Sequence, residues 1–200
     1  MKNIMLKLCI LIVLVVMQFG QSAFATIITL DDIPLDFRSQ NLPSYTEGNF
    51  VISASCTDCL NVFSTTEPNA GYGASTAAAG WGASERFLET WNTDVIFSLA
   101  RTSGSMFNFT GFDIGWFDNN ISNASWSVKA FDAMGNLLAD DVYTGKGHFD
   151  FEYVNVSSVT FQNNGGFSSF DNLVVSVPAP SAFLLFIAGF AGLIVARRRK

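Results

Sequence analysis

The chain has 200 residues, 49% apolar and 14% charged, with 20 Phe among its aromatics. At ~100–200 residues per domain that allows one mid-sized folded domain and excludes a disordered chain. All 17 acidic residues lie between Asp31 and Asp171, a stretch that holds only five of the 11 basic ones and so carries a net of −12; because phosphate affinity rests on clustered Lys and Arg, nucleic acid is excluded as the main partner.

Residues 1–25 read as a secretory signal peptide. Lys2 and Lys7 form a positive n-region, and Leu8 to Met17 is an unbroken apolar run of ten residues. Ala23-Phe24-Ala25 supplies the small-x-small site at which signal peptidase cuts ahead of Thr26. Ten helical residues rise only ~15 Å against a ~30 Å hydrocarbon core, which argues against an anchor.

Short apolar runs broken by Gly, Asn, Asp and Ser follow, the pattern of strands and turns. Strands are expected at 26–30, 49–55, 60–64, 94–100, 156–161 and 170–177. Cys56-Thr57-Asp58-Cys59 is the cysteine pair left after signal cleavage, and in an exported domain its expected state is a disulfide pinning the turn between 49–55 and 60–64. Redox chemistry would want a helix N-terminus at the first cysteine, and strands flank it here. Residues 69–83, rich in Gly, Ala and Ser around Tyr72 and Trp81, read as a loop. Ser84 to Trp91 is the best helical candidate, and there Glu85 and Glu89 would share a side, as a glycosidase pair does.

Phe107 and Phe109 share one parity, whereas Phe112, Ile114 and Trp116 share the other; a bulge at Thr110-Gly111 restores one apolar face. The next loop, Gly115 to Asn120, places Trp116 beside Asp118, Asn119 and Asn120. Sugars stack their C–H faces on such rings while amides and carboxylates take the hydroxyls, so these four are the candidate sugar contacts; Trp116 also suits a core position. Trp126, Val128 and Ala130 form an inward row, and 132–136 reads as a turn leading into a strand from Leu137 to Tyr143. His148, the sole histidine, falls at a strand start and reads as an exposed, inert side chain. No Gly-x-Ser-x-Gly elbow accompanies it, and with one histidine and one cysteine pair a zinc site is poorly supplied. Phe149 to Tyr153 then alternates aromatic and acidic residues without a break. Eight or nine strands with one apolar face each predict an all-β domain of two packed antiparallel sheets over 26–176, its Phe and Trp each burying ~150–250 Å².

The C-terminus, 177–200, mirrors the N-terminal address. Val177-Pro178-Ala179-Pro180-Ser181 is a stiff, extended hinge, since both prolines lack an N–H and fix φ near −65°. Ala182 to Ala196 carries no charged side chain, and Arg197, Arg198, Arg199 and Lys200 close the chain. Fifteen residues rise ~22 Å, a short span that snorkelling arginines and local bilayer thinning accommodate. The basic end is expected to stay on the cytoplasmic side of the membrane, leaving 26–181 outside.

This order of proline motif, apolar span and arginine cluster resembles the PEP-CTERM sorting signal of Gram-negative bacteria, whose motif reads Val-Pro-Glu-Pro-Ser; Val177, Pro178, Pro180 and Ser181 match and Ala179 departs. The resemblance implies an exosortase that recognises the motif and removes the tail, and hence an exported protein of the cell surface or extracellular polymer. A eukaryotic lipid-anchor signal is the competing reading, with sequons at Asn108, Asn120, Asn123 and Asn155, but such tails end apolar. Thr29-Leu30-Asp31-Asp32 and Phe170 to Val175 also resemble the jelly-roll domains found ahead of PEP-CTERM tails, which implies a jelly-roll-like β-sandwich flanked by the signal peptide and a C-terminal hydrophobic helix. First and last strands of a jelly roll often pair, which would bring Asp31, Asp32 and Asp171 together as a candidate calcium site. The expected role is a non-catalytic structural or adhesive module, with a carbohydrate-binding module, in some forms calcium-dependent, as the alternative and a hydrolase third.

Overall fold

The computed structural model describes residues 24–32, 39–57, 59–64, 86–90, 93–116, 125–165 and 168–178. Thirteen strands run through them: β1 Phe24–Ile28, β2 Ser39–Leu42, β3 Ser44–Glu47, β4 Phe50–Ala54, β5 Leu60–Ser64, β6 Arg86–Thr90, β7 Ile96–Arg101, β8 Phe107–Trp116, β9 Ser125–Phe131, β10 Leu137–Thr144, β11 Gly147–Val156, β12 Ser158–Gly165 and β13 Ser168–Val177. Among the described residues no helix is long and apolar enough to cross a membrane.

Alternation decides the layering. On β9, Trp126, Val128 and Ala130 are buried while the residues between them are half-buried, and β12 does the same with Val159 and Phe161. One face of each strand must leave water, so the strands assemble into two sheets with those faces opposed. The seven-stranded sheet runs β11-β8-β13-β6-β5-β2, with β1 also on β13; the six-stranded sheet runs β10-β9-β12-β7-β4-β3. The antiparallel sandwich therefore agrees with the architecture expected from the sequence, and the unit that carries it is Ala25–Ser176.

Between the sheets lies an aromatic core. Phe161 of the six-stranded sheet meets Phe109 and Phe112 of β8 at ring-centroid distances of 5.5 and 5.7 Å and stacks on Phe170 of β13 at 5.0 Å. Trp126 meets Phe170 edge-on at 4.9 Å. Edge-to-face rings gain about 0.5–1.5 kcal/mol beyond area burial, so this contact set adds directional order to the hydrophobic term.

β8 is the strand on which the site depends, and its bulge falls where the parity of its aromatics slips. Against β13, Phe109 opposes Val175 and Gly111 opposes Val174, so Thr110 is the extra residue. That single insertion keeps Phe107, Phe109, Phe112 and Ile114 all fully buried on one side. It also turns Gly111, Asp113 and Gly115 onto the opposite, outward face.

Two expectations are corrected. Ser84 to Trp91 is not helical where described: Arg86–Thr90 is strand β6, hydrogen-bonded between β13 and β5, with Leu88 fully buried. Its apolar spacing is too short to separate period 3.6 from period 2, and pairing on both sides settles it. The strand count rises from the expected eight or nine to thirteen, in part because β2, β3 and β6 are short and carry little alternation of their own.

Candidate functional site

The outward face of the seven-stranded sheet carries a row of polar side chains across three neighbouring strands. His148 of β11 is in register with Asp113 of β8, which is in register with Asp171 of β13. At ~4.8 Å between strands the row spans ~10 Å, and of its three side chains His148 is exposed while Asp113 and Asp171 are buried. Asp113 is held there because Phe112 and Ile114 on either side of it point into the core. The same logic orients His148 through its neighbour Phe149, whose ring lies 6.1 Å from that of Phe112. Asp171 follows Phe170, which packs inward against Phe97 at 5.4 Å.

The Asp113 carboxylate is nearly buried and fully engaged. Its Oδ1 lies 2.6 Å from His148 Nδ1, and its Oδ2 accepts a hydrogen bond from Asn172 Nδ2 at 2.7 Å. His148 Nε2 lies 3.1 Å from Asp150 Oδ1, so the imidazole bridges a buried carboxylate and an exposed one, with side chains 8% and 88% exposed. Partial burial lowers the pKa of His148, but the hydrogen bonds and charges of Asp113 and then Asp150 outweigh it and raise the imidazole above its ordinary 6.5.

Glycine forms the floor under the ring. A Cβ on Gly111 would sit 3.1 Å from His148 Nε2 and 3.0 Å from the Phe149 carbonyl oxygen, a closer approach than side chains ordinarily make. Beyond Asp113 the face continues through Gly115 to Ser169, whose register partner on β6 is Glu89. The Ser169 hydroxyl is fully buried and has no hydrogen-bond partner among the described residues. Ser168 beside it points the other way, donating to Asn163 Oδ1 of the six-stranded sheet.

Two further polar clusters are structural. Glu47 of β3 accepts the backbone N–H groups of Thr29 and Leu30 and the hydroxyl of Tyr45, tying the exit of β1 to the six-stranded sheet. Burial first, then the Glu47 hydrogen bond and the nearby carboxylates of Glu47, Asp32 and Asp31, push the Tyr45 phenol far above its usual range. At the other end Tyr153 donates to Asp141 Oδ2 at 2.6 Å and lies 3.0 Å from Tyr143, oxygen to oxygen.

The residues singled out from sequence fall as follows. Cys56 and Cys59 form a disulfide, and because β4 and β5 belong to different sheets the clip sits at a crossover between layers. β1 does pair with β13, yet Asp171 is aligned with Asp113 while Asp31 and Asp32 act on Tyr45. Among the described residues no group of three or more His, Cys, Asp or Glu is placed to hold a metal ion, so the three aspartates form no such group. Trp116 ends β8 opposite Ser168; Asp118, Asn119, Asn120, Glu85 and 69–83 lie outside the described residues. Ala25 and Thr26 belong to β1, Val177 ends β13 and Pro178 follows it; Ala23 and 179–200, with the rest of the sorting motif, the apolar span and the basic end, lie outside. His148 stands at the start of β11 and is exposed, as expected, but sequence reading undervalued it as inert: both ring nitrogens are anchored on carboxylates.

No protein-family model matches the chain, and no curated protein matches it. Among solved structures it is similar to an arabinose-bound MgGH51 α-L-arabinofuranosidase (13% identity, TM-score 0.41), covering 70% of this chain and 25% of that one. It is also similar to a DUF4465 family protein from Bacteroides caccae (8%, TM-score 0.44), covering 76% and 98%. A CBM22 tandem domain from Paenibacillus barcinonensis Xyn10C is similar at 9% and TM-score 0.41, covering 81% and 48%. The chain thus spans a quarter of the first of these proteins and about half of the third.

Proposed function

We propose that this chain is an exported, non-catalytic module that binds polysaccharide on the outward face of its seven-stranded sheet. The observation that carries the reading is the row His148–Asp113–Asn172, in which every polar group is fixed by its neighbour over a glycine floor. Sugar hydroxyls need donors and acceptors held at set positions, because each loses its water on binding and must find a replacement. The row offers a half-exposed imidazole edge and the free oxygen capacity of the exposed Asp150, with the buried Asp113 holding the ring in place. Both ring nitrogens of His148 face carboxylates rather than a hydroxyl or thiol nucleophile. A binding role fits that chemistry better than a hydrolytic one.

The route outward belongs to the same proposal. The n-region, apolar run and Ala23-Phe24-Ala25 support export, and the Val177 to Ser181 motif with its basic end supports processing by an exosortase. An adhesive role is the second reading, favoured by β10, which ends the six-stranded sheet with Leu137, Leu138 and Val142 exposed. A glycan array with and without EDTA separates the two. Retention of a polysaccharide, weakened several-fold by Asp150→Ala, supports the binding module; no retention under either condition leaves the adhesive role. Loss of retention in EDTA would add calcium to the account.

A further inference from the structure

We infer that the sandwich docks end-on against lipid through an apolar rim formed by Met106, Met134, Leu137 and Leu138. The inference rests on the export reading, in which the C-terminal apolar span holds the precursor in the inner membrane. Four residues, Pro178 to Ser181, separate the end of β13 from Ala182, where that span begins. Fully extended they reach only ~14 Å, so the end of the sandwich at which β13 stops is kept at the bilayer surface.

The rim lies at that end. Ser176 of β13 is in register with Asn108 of β8, whose side-chain oxygen accepts the Asn155 N–H of β11 at 3.0 Å. Met106 lies two residues before Asn108, and Ser157 two residues beyond Asn155. Ser157 donates its N–H to the Phe131 carbonyl at 2.8 Å and its hydroxyl to the Asp132 carbonyl, which joins this end to the turn between β9 and β10. The turn is well fixed: Asp132 accepts the N–H groups of Met134 and Asn136, each at 2.8 Å, and Gly135 takes the positive φ. It presents Met134 85% exposed, and Leu137, Leu138 and Met106 are each about half exposed. Single apolar side chains on a surface need no explanation, whereas four at the end tethered to a bilayer do.

Charge at this end suits a zwitterionic surface rather than an anionic one. The Asp132 carboxylate is turned onto its own loop, and Lys129 and Asp140 on the strands behind it pair at 3.1 Å, so no basic cluster stands among these residues to draw anionic lipid. Apolar side chains of this kind enter the headgroup boundary ~5–10 Å deep. At the far end of β10, Thr144 and Lys146 are exposed instead.

The test takes the full chain from a host without exosortase, with Cys9→Ser so that spin labels react only at introduced cysteines, Cys56 and Cys59 being joined. Labels on Met134→Cys, Lys146→Cys and, within the span, Ala188→Cys are compared in phosphatidylcholine nanodiscs holding one chain each. Relaxation by oxygen, which concentrates in lipid, and by a water-soluble nickel chelate reports the depth of each label. The oxygen-to-nickel ratio should be about tenfold higher for Met134→Cys and Ala188→Cys than for Lys146→Cys. Leu137→Ser with Leu138→Ser should return the Met134→Cys label toward the Lys146→Cys value. A Met134→Cys label as wet as that of Lys146→Cys, with Ala188→Cys in lipid, overturns the rim and leaves the anchor standing. Dipolar broadening of the Met134→Cys label at two chains per disc, without gain in oxygen contact, means that a second copy covers the rim and overturns it too. An Ala188→Cys label outside lipid overturns anchor and rim together.

Discussion

Asp113→Asn perturbs the row with almost no change in volume. The native carboxylate accepts from His148 and Asn172 at 2.6 and 2.7 Å. In the variant one oxygen becomes a donor, so one acceptor remains for two donors and the negative charge is gone. A hydrogen bond to a charged group contributes about 1.5–3 kcal/mol; with the His148 side chain 44% exposed, solvent screening reduces this to about 1 kcal/mol. The sign follows from the raised pKa of His148, in which the carboxylates outweigh partial burial. The pairing stabilises the fold fully below the ordinary value of 6.5, and that contribution is lost as pH rises through the higher folded-state value. Urea unfolding at pH 5.5 and 8.5 should show the native protein gaining about 1 kcal/mol at the lower pH relative to Asp113→Asn. His148 is the only histidine, so its ring protons report the titration without overlap. The native pKa should fall toward 6.5 in the variant; an unchanged titration curve would refute the pairing as the cause.

Other consequences are checked more simply. Gly111→Ala should displace the His148 ring or the Phe149 carbonyl, seen as a shifted imidazole signal and a lower urea midpoint. Phe161→Ala removes a ring in contact with Phe109, Phe112 and Phe170 and should cost about 3–5 kcal/mol by chemical unfolding. Replacing Cys56 and Cys59 with Ser opens a very short loop, so the loss should stay near 2 kcal/mol, and a much larger one would mean that the clip also organises the crossover. Pro178→Ala combined with Pro180→Ala should leave an unprocessed, membrane-held precursor in the native host; normal release at unchanged mass would reject processing at that motif.

Legibility of the fold from sequence tracked the strength of local signals. The bulge on β8 was readable because four buried residues could share one face only if an extra residue lay at Thr110-Gly111. β11 was readable from its unbroken alternation. β6 was not, since five residues in a mixed pattern fit either period until strands close on both sides. The polar row was hidden for another reason. His148 and Asp113 are 35 residues apart, and Asn172 lies 59 from Asp113, so only the register of β8 with β11 and β13 brings them together. One signal was available: Asp113 stands between Phe112 and Ile114 as the only charged residue of β8, where an isolated carboxylate needs a partner. Asp171 was noticed for its charge, but its register partner Asp113 was not, because pairing of β1 with β13 does not fix which carboxylates share a register position.

The central claim is that glycan is held on the outward face of the seven-stranded sheet, and the His148 ring is its natural reporter. The Hε1 and Hδ2 signals of the full chain should be followed while an oligosaccharide retained on the array is added. The account predicts a saturable shift of both signals at the affinity measured by titration, abolished or weakened in Asp150→Ala. Glycan binding of the same strength with the imidazole signals unmoved would place the site elsewhere and contradict it.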